Sequence, residues 1–408
     1  MSVASETTDG LAKRASSMDT GLVLLGLVVF ALGQTMVFAI AGPATRLMGL
    51  TETDMGLVIS LAAVSYTIAV PLWGRFGDRI GRVNIISWGL IAYAVTTVAF
   101  AGIMDLGMSG ILLVPVSLFA LIAARMSLSI GVGGIYPCAT AFMADKTDAS
   151  RRTAGVALVG AAFSFGSILG PVLAGALTVY GLLFPLYASA VAALVLGVII
   201  LFKVSEPRRD VASEGNRLPL FDKRVRPFVF MAMGTFTVVS ILQQTSAFYF
   251  QDRFSLSPVE TAQTTGVAMG AMAFAMLLAQ GGLVQLLKLT PKTFILIGYL
   301  LGAVGLASMQ VTATLDELYL AYGVVGLSGG LINAGLMAGA SLRVESEHQG
   351  AVAGLVGAGM GAGYIIGPLL GTSLYRIEMT YPFIFAAGLM AALFVCAFAL
   401  RGSSTAET

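Results

Sequence analysis

Long apolar runs broken by short polar stretches set the pattern of this chain. Twelve runs stand out, over residues 21–45, 55–73, 83–104, 111–142, 154–179, 183–203, 227–250, 260–287, 292–312, 317–341, 350–375 and 381–400. Each is about long enough to cross a bilayer core of about 30 Å as a helix. The runs are continuously apolar instead of alternating, so the strands of a closed barrel are excluded and helices remain. The pattern predicts an all-α integral membrane protein of 12 transmembrane helices.

Charge then gives the runs a direction. One set of alternate breaks, together with both chain ends, holds nearly all of the 23 Lys and Arg. The other set has only Arg46, Arg253 and Arg376, and Arg125 is left within a run. The positive-inside rule puts the first set, and both termini, in the cytoplasm. Short loops fit a bacterial chain, which places the expected site in the cell inner (plasma) membrane. The first 19 residues are polar with no apolar stretch before a small-residue cleavage site, so they read as a cytosolic tail and not a signal peptide.

Composition supports the same class. Hydrophobic residues make up 57% and charged residues 11%, with mean hydropathy +0.90, whereas a soluble domain is about 25% charged. A formal charge of +2 gives no reason to expect nucleic acid as a partner. Cys138 and Cys396 both fall in apolar runs and read as spectator thiols, and His348 is the single histidine. No metal-ligand spacing and no catalytic constellation is present, so neither an enzyme nor a cofactor is expected.

The longest polar stretch, from Ser205 to Arg226, reads as a linker between halves. The expected organisation is a tail over 1–20, a six-helix bundle over 21–203, a cytosolic linker over 204–226, a second bundle over 227–401 and a tail over 402–408. An internal repeat agrees with two related halves. Leu158, Val159, Gly160, Gly166, Gly170 and Pro171 recur 197 positions later as Leu355, Val356, Gly357, Gly363, Gly367 and Pro368. These residues lie in the fifth and eleventh runs.

Between the second and third runs stands Gly74-Arg75-Phe76-Gly77-Asp78-Arg79-Ile80-Gly81-Arg82. Its Gly-x-x-x-Asp-Arg-x-Gly-Arg pattern, at this place in the order of runs, resembles the loop between helices 2 and 3 of the major facilitator superfamily. The fifth run, with Gly166, Gly170, Pro171, Ala174 and Gly175, resembles the signature of the drug:proton antiporters within that superfamily, although Ala174 stands where the family has a second Gly. The resemblance implies two pseudo-symmetric six-helix bundles working by alternating access, usually as a monomer. It implies that Gly74, Asp78, Arg79, Gly81 and Arg82 form a conformational switch, a charge cluster that breaks when the cytosolic side opens, contributing about 1–2 kcal/mol. Read from the residues, Gly74, Gly77 and Gly81 permit a tight turn and close helix approach.

Arg125 is the most informative single residue. It lies within the fourth run, about 20 residues or roughly 30 Å of helix from Asp145, and an intramembrane charge normally marks a pathway. All 21 Asp and Glu lie in breaks or at run ends, so no embedded carboxylate is at hand to take up a proton. Asp54, Asp252 and Asp316 are the substitute proton-site candidates. Without a neighbouring acid, Arg125 is available to an anionic group on a substrate. Gln34, Gln243, Gln244 and Asn333 join Arg125 as substrate-cavity candidates, with Gln280 as a further polar group and Tyr136-Pro137 as a kink. Phe248 and Tyr249 are candidates for an aromatic wall. The functional expectation is a secondary active transporter that exports a small, moderately hydrophobic molecule, such as a drug-like compound or a metabolite, in exchange for protons. The alternative is a dedicated exporter of an anionic metabolite or siderophore, or an importer, with Arg125 as the counter-charge.

Overall fold

A computed structural model describes residues 2–147, 152–206, 222–345 and 348–400, with side chains from residue 17 onward except those of 78, 152 and 153. Fourteen α-helices follow in order: α1 (Ser2–Leu47), α2 (Glu52–Ile80), α3 (Arg82–Met108), α4 (Val114–Val132), α5 (Ile135–Lys146), α6 (Arg152–Leu177), α7 (Phe184–Lys203), α8 (Arg226–Phe254), α9 (Pro258–Leu278), α10 (Val284–Leu287), α11 (Pro291–Ser308), α12 (Leu315–Ser341), α13 (Gln349–Ile377) and α14 (Tyr381–Phe398). They make 12 spans long and apolar enough to cross a membrane. The fourth span joins α4 and α5, and the eighth joins α9, a π-helical turn at Ala279–Leu283 and α10. Helical backbone begins at Ser2, so the N-terminal segment enters the first span without a break.

The local causes of these boundaries are legible. Ser257 and Thr314 each open a helix with a reciprocal capping box to Glu260 and Glu317, which satisfies two otherwise orphaned backbone donors. Proline stands in the first turn of α4, α7, α8, α9, α11 and α14, where its missing N–H costs nothing. The fourth span breaks at Gly133-Gly134, just before Tyr136-Pro137, because Pro137 cannot donate into the preceding turn.

The stretch expected to be a charged turn is nearly all helix. Residues Gly74 to Ile80 complete α2, and the reversal is confined to Gly81 at φ 111°. Of the three glycines, only Gly81 needs its conformational freedom. Gly77 instead makes room for α5, since a Cβ there would come within 2.8 Å of Cys138 Sγ, and Gly74 has nothing within 4 Å.

The chain falls into two compact units. One takes α1 as far as Ile40, Leu47–Gly49 and the chain from Leu61 through α7; the other takes Ala41–Arg46, Leu50–Ser60 and the chain from α8 onward. The first is cored by Leu27, Phe30, Leu90, Tyr93, Val132 and Phe142, the second by Phe228, Phe248, Tyr249, Tyr299, Tyr322 and Phe383.

Each unit contains the same close helix pair. In the first, a Cβ at Gly166 or Gly170 would collide with the carbonyl oxygens of Val28 and Leu32 on α1. The Thr35 hydroxyl lies 3.1 Å from the carbonyls of both Leu32 and Ser167. In the second, Gly363 and Gly367 stand against Met233 and Thr237 of α8. There the Ser240 hydroxyl lies 3.1 Å from the carbonyls of Thr237 and Gly363. The repeat seen in α6 and α13 therefore extends to their partners. Small residues bring the backbones together, and a hydroxyl stitches them, which is how helices associate where lipid is as apolar as the helix surface.

Candidate functional site

Four groups of polar residues stand out against the apolar background. The first surrounds the start of α3. Arg82 pairs with Asp145 and donates to the Ala141 carbonyl at 2.5 Å, tying α3 to α5. Glu206 accepts the backbone N–H groups of Arg82 and Val83 at 2.6 and 2.9 Å, placing a negative charge on the positive end of the α3 dipole. Lys146, next to Asp145, reaches Asp19 on α1 at 3.1 Å. Arg79 is exposed, and the side chain of Asp78 lies outside the described residues, although its backbone is helical. Neither Asp145 nor Glu206 is marked as a partner by the motif itself.

The second group is Arg125. It is buried on α4, roughly 17 Å along the axis from Val114 at 1.5 Å per residue. Its guanidinium carbon lies 5.5 Å from the centre of the Phe100 ring. Among the described residues it has no hydrogen-bond or ion-pair partner, and Tyr93 is the one titratable group electrically coupled to it. Tyr93 is itself held by Ser189 at 3.2 Å and packs edge-on against Phe30. Inserting an arginine at mid-membrane costs about 2.5–3.5 kcal/mol even by the lowest scale, and a cation–π contact returns only part of that.

The third group consists of amides. The side-chain oxygens of Gln34, Gln243, Gln244 and Asn333, and the nitrogen of Gln280, are buried without a hydrogen-bond partner. Gln34 belongs to the first unit and the others to the second. Gln243 on α8 faces Tyr364 of α13, whose ring packs on Phe236 at 5.6 Å. Gln280 sits in the π-helical turn, a distortion that recurs at functional sites.

The fourth group was not assembled from the sequence. Arg46, near the C-terminal end of α1, makes a two-pronged pair with Asp252 near the end of α8, with Nη2 and Oδ2 at 2.7 Å. The same guanidinium reaches Glu52 of α2 at 2.9 Å and Gln251 at 3.3 Å, and lies 5.3 Å above the Phe248 ring. Tyr375 of α13 donates to Asp252 at 2.6 Å. All of these residues fall in the second unit. Nearby, Gly42 packs on Ala247 and Gly56 on Thr372. One signal was available: Arg46 is among the few basic residues on its face, and Glu52 and Asp252 stand at the same depth.

The other two acidic candidates have ordinary surroundings. Asp54 caps the first turn of α2, accepting from the Thr51 backbone N–H at 2.8 Å and hydroxyl at 2.7 Å. Asp316 is exposed in the first turn of α12. Phe248 and Tyr249 are fully buried core, the former beneath Arg46 and the latter donating to the Met309 carbonyl at 2.9 Å. They pack and do not form an open wall.

Curated relatives cover nearly the whole chain. Multidrug resistance protein 2 of Bacillus subtilis (strain 168) is 26% identical over 381 residues, 90% of this chain and 92% of the relative. Quinolone resistance protein NorA of Staphylococcus aureus (strain COL) is 23% identical over 375 residues, with the same coverage. Among solved structures, a bacterial homolog of the human lysosomal transporter Spinster, inward-facing and unoccupied, superposes with a TM-score of 0.70 at 16% identity over 95% of both chains. The human organic anion transporter MFSD10 (TETRAN) gives 0.64 at 19% identity, covering 94% of this chain and 99% of its own. Both likenesses concern the fold. The family described as Major Facilitator Superfamily matches residues 23–314 and 266–408; this twelve-span chain is a membrane transporter that belongs to the Major Facilitator Superfamily.

Proposed function

We propose that the chain is a secondary active exporter of small, moderately hydrophobic molecules, working by alternating access in exchange for protons. The observation that carries this reading is the set of amides that each bury one polar atom without a partner. Gln34, Gln243, Gln244, Gln280 and Asn333 each hold a polar atom away from water with no partner, a state that costs about 1–3 kcal/mol per group. A solute that brings hydrogen-bonding groups on an apolar body relieves that cost at binding. The resistance-protein relatives and the close α1–α6 pair built on Gly166 and Gly170, in a helix that also carries Pro171 and Gly175 of the antiporter signature, support export over import.

For the proton, Asp252 is favoured over Asp54 and Asp316, because it alone of the three is bonded to residues on two other helices. Protonating Asp252 removes the charge that holds Arg46 and turns the carboxylate from a pure acceptor into a donor. The pair thus forms above the titration of Asp252 and is lost as the pH falls through it. Gly74, Asp78, Arg79, Gly81 and Arg82 are proposed to act as the conformational switch of the opposite, cytosolic face, with Asp145 and Glu206 as its fixed partners. The compartment is the inner (plasma) membrane, with both termini cytoplasmic and the monomer as the working unit.

The test is efflux from energised cells expressing the protein, with a panel of neutral and charged dyes, antibiotics and organic acids. The expected result is efflux abolished by a proton uncoupler. Efflux that persists with the uncoupler, or accumulation instead of efflux, contradicts the reading.

A further inference from the structure

Resting on the exporter reading above, we propose that Arg125 anchors a negatively charged group of the transported molecule. The substrates are then hydrophobic bodies carrying a carboxylate or comparable monoanion. The contrast with other arginines of the chain carries the idea. Arg46 meets Asp252 and Glu52, and Arg82 meets Asp145 and the Ala141 carbonyl. Arg125 is as buried as Arg82, yet no acceptor from the described residues approaches it.

What surrounds Arg125 is poor in negative charge. Tyr93 is the titratable neighbour, Thr97 follows it one turn along α3 with a buried hydroxyl beside the Tyr93 side chain, and Phe100 presents its ring. Five guanidinium donors beside hydroxyls that both donate and accept make a niche that favours an anion over a cation. A planar fork matches a carboxylate with two parallel hydrogen bonds. Among the described residues no second cation is coupled to Arg125, so the niche matches a single negative charge.

The experiment compares 1-pyrenebutanoate with 1-pyrenebutanol, which share a body and differ in charge, for binding to the full chain in nanodiscs. The acid is expected to bind about tenfold tighter than the alcohol, as for one charge-assisted contact. Arg125→Gln is expected to erase that preference, so that acid and alcohol bind alike, and Arg125→Lys to restore part of it. Equal binding of the two probes by the wild type, or a preference that survives Arg125→Gln, overturns the proposal. Should Arg125→Gln not fold, a diazirine-bearing aromatic acid decides on the wild type. Labelling of the peptides holding Phe100 or Arg125 by the acid and not by its alcohol supports the anchor, and labelling only elsewhere refutes it. Failure of the exporter reading looks different: the binding preference stays, and uncoupler-sensitive efflux of the acid is missing.

Discussion

The pair between Arg46 and Asp252 is the contact whose loss has the most definite consequence. Exposed ion pairs contribute about 0.2–1 kcal/mol, and charge-assisted hydrogen bonds about 1.5–3. This pair has two prongs, a third bond from Tyr375 and an aromatic ring beneath the guanidinium. Against that, the two side chains are 26% and 38% exposed, so water screens them in part. A coupling of about 1.5 kcal/mol follows, roughly tenfold in an equilibrium constant. Glu52 also holds Arg46, so single substitutions mix two contacts, and a double-mutant cycle is needed to isolate one. The assay places a cysteine at Thr53, in the first turn of α2 beside Glu52, in a chain whose Cys138 and Cys396 are replaced by alanine. An impermeant maleimide then reports how often this end of the helices opens. Arg46→Gln and Asp252→Asn should each speed labelling, with the double variant showing a coupling of about 1.5 kcal/mol. Lowering the external pH should speed labelling of the wild type and leave Asp252→Asn unmoved. Additive effects, within about 0.3 kcal/mol, would refute the reasoning.

Three further outcomes follow from the packing. Gly170→Ala drives a Cβ into the Leu32 carbonyl and should lower stability by about 1–3 kcal/mol, as overpacking does. Gly354→Ala, with nothing within 4 Å, is the control, and equal thermal unfolding of the two variants in detergent would contradict the close-approach argument. Glu206→Ala removes the acceptor of two α3 N–H groups and should cost about 1 kcal/mol, read by the same melt; an unchanged midpoint counts against the cap. Gln244→Leu removes a buried partnerless amide oxygen and should weaken binding of a hydrogen-bonding substrate by about tenfold without lowering stability. A stability loss with unchanged binding would make Gln244 a helix-to-helix tie.

The spans were legible because a bilayer demands about 20 apolar residues per helix, and no other constraint writes so long a signal. The repeat in the fifth and eleventh runs was equally plain, since backbone contact tolerates only glycine at Gly166, Gly170, Gly363 and Gly367. Arg125 stood out because one charge in an apolar run has no cover. The charged stretch between α2 and α3 misled in one respect: its polarity suggested a long turn, whereas residues such as Arg75 and Arg79 are equally at home on a helix that extends beyond the lipid, and one glycine makes the reversal. The Arg46 cluster was missed because Arg46 and Asp252 lie 206 residues apart in sequence, and a pairing over that distance leaves no periodic mark. Glu206 was hidden for the same reason, as a capping carboxylate supplied from the end of another helix has no local motif.

Proton-coupled export is decided on the purified protein in liposomes with an imposed pH gradient and a pH-sensitive dye on one side. Adding an efflux substrate of the cell assay to the side that drains the gradient should increase proton flux, with the substrate moved against its own gradient. In Asp252→Asn both movements should fall together. Substrate movement that is unaffected by the size or sign of the pH gradient would contradict proton coupling.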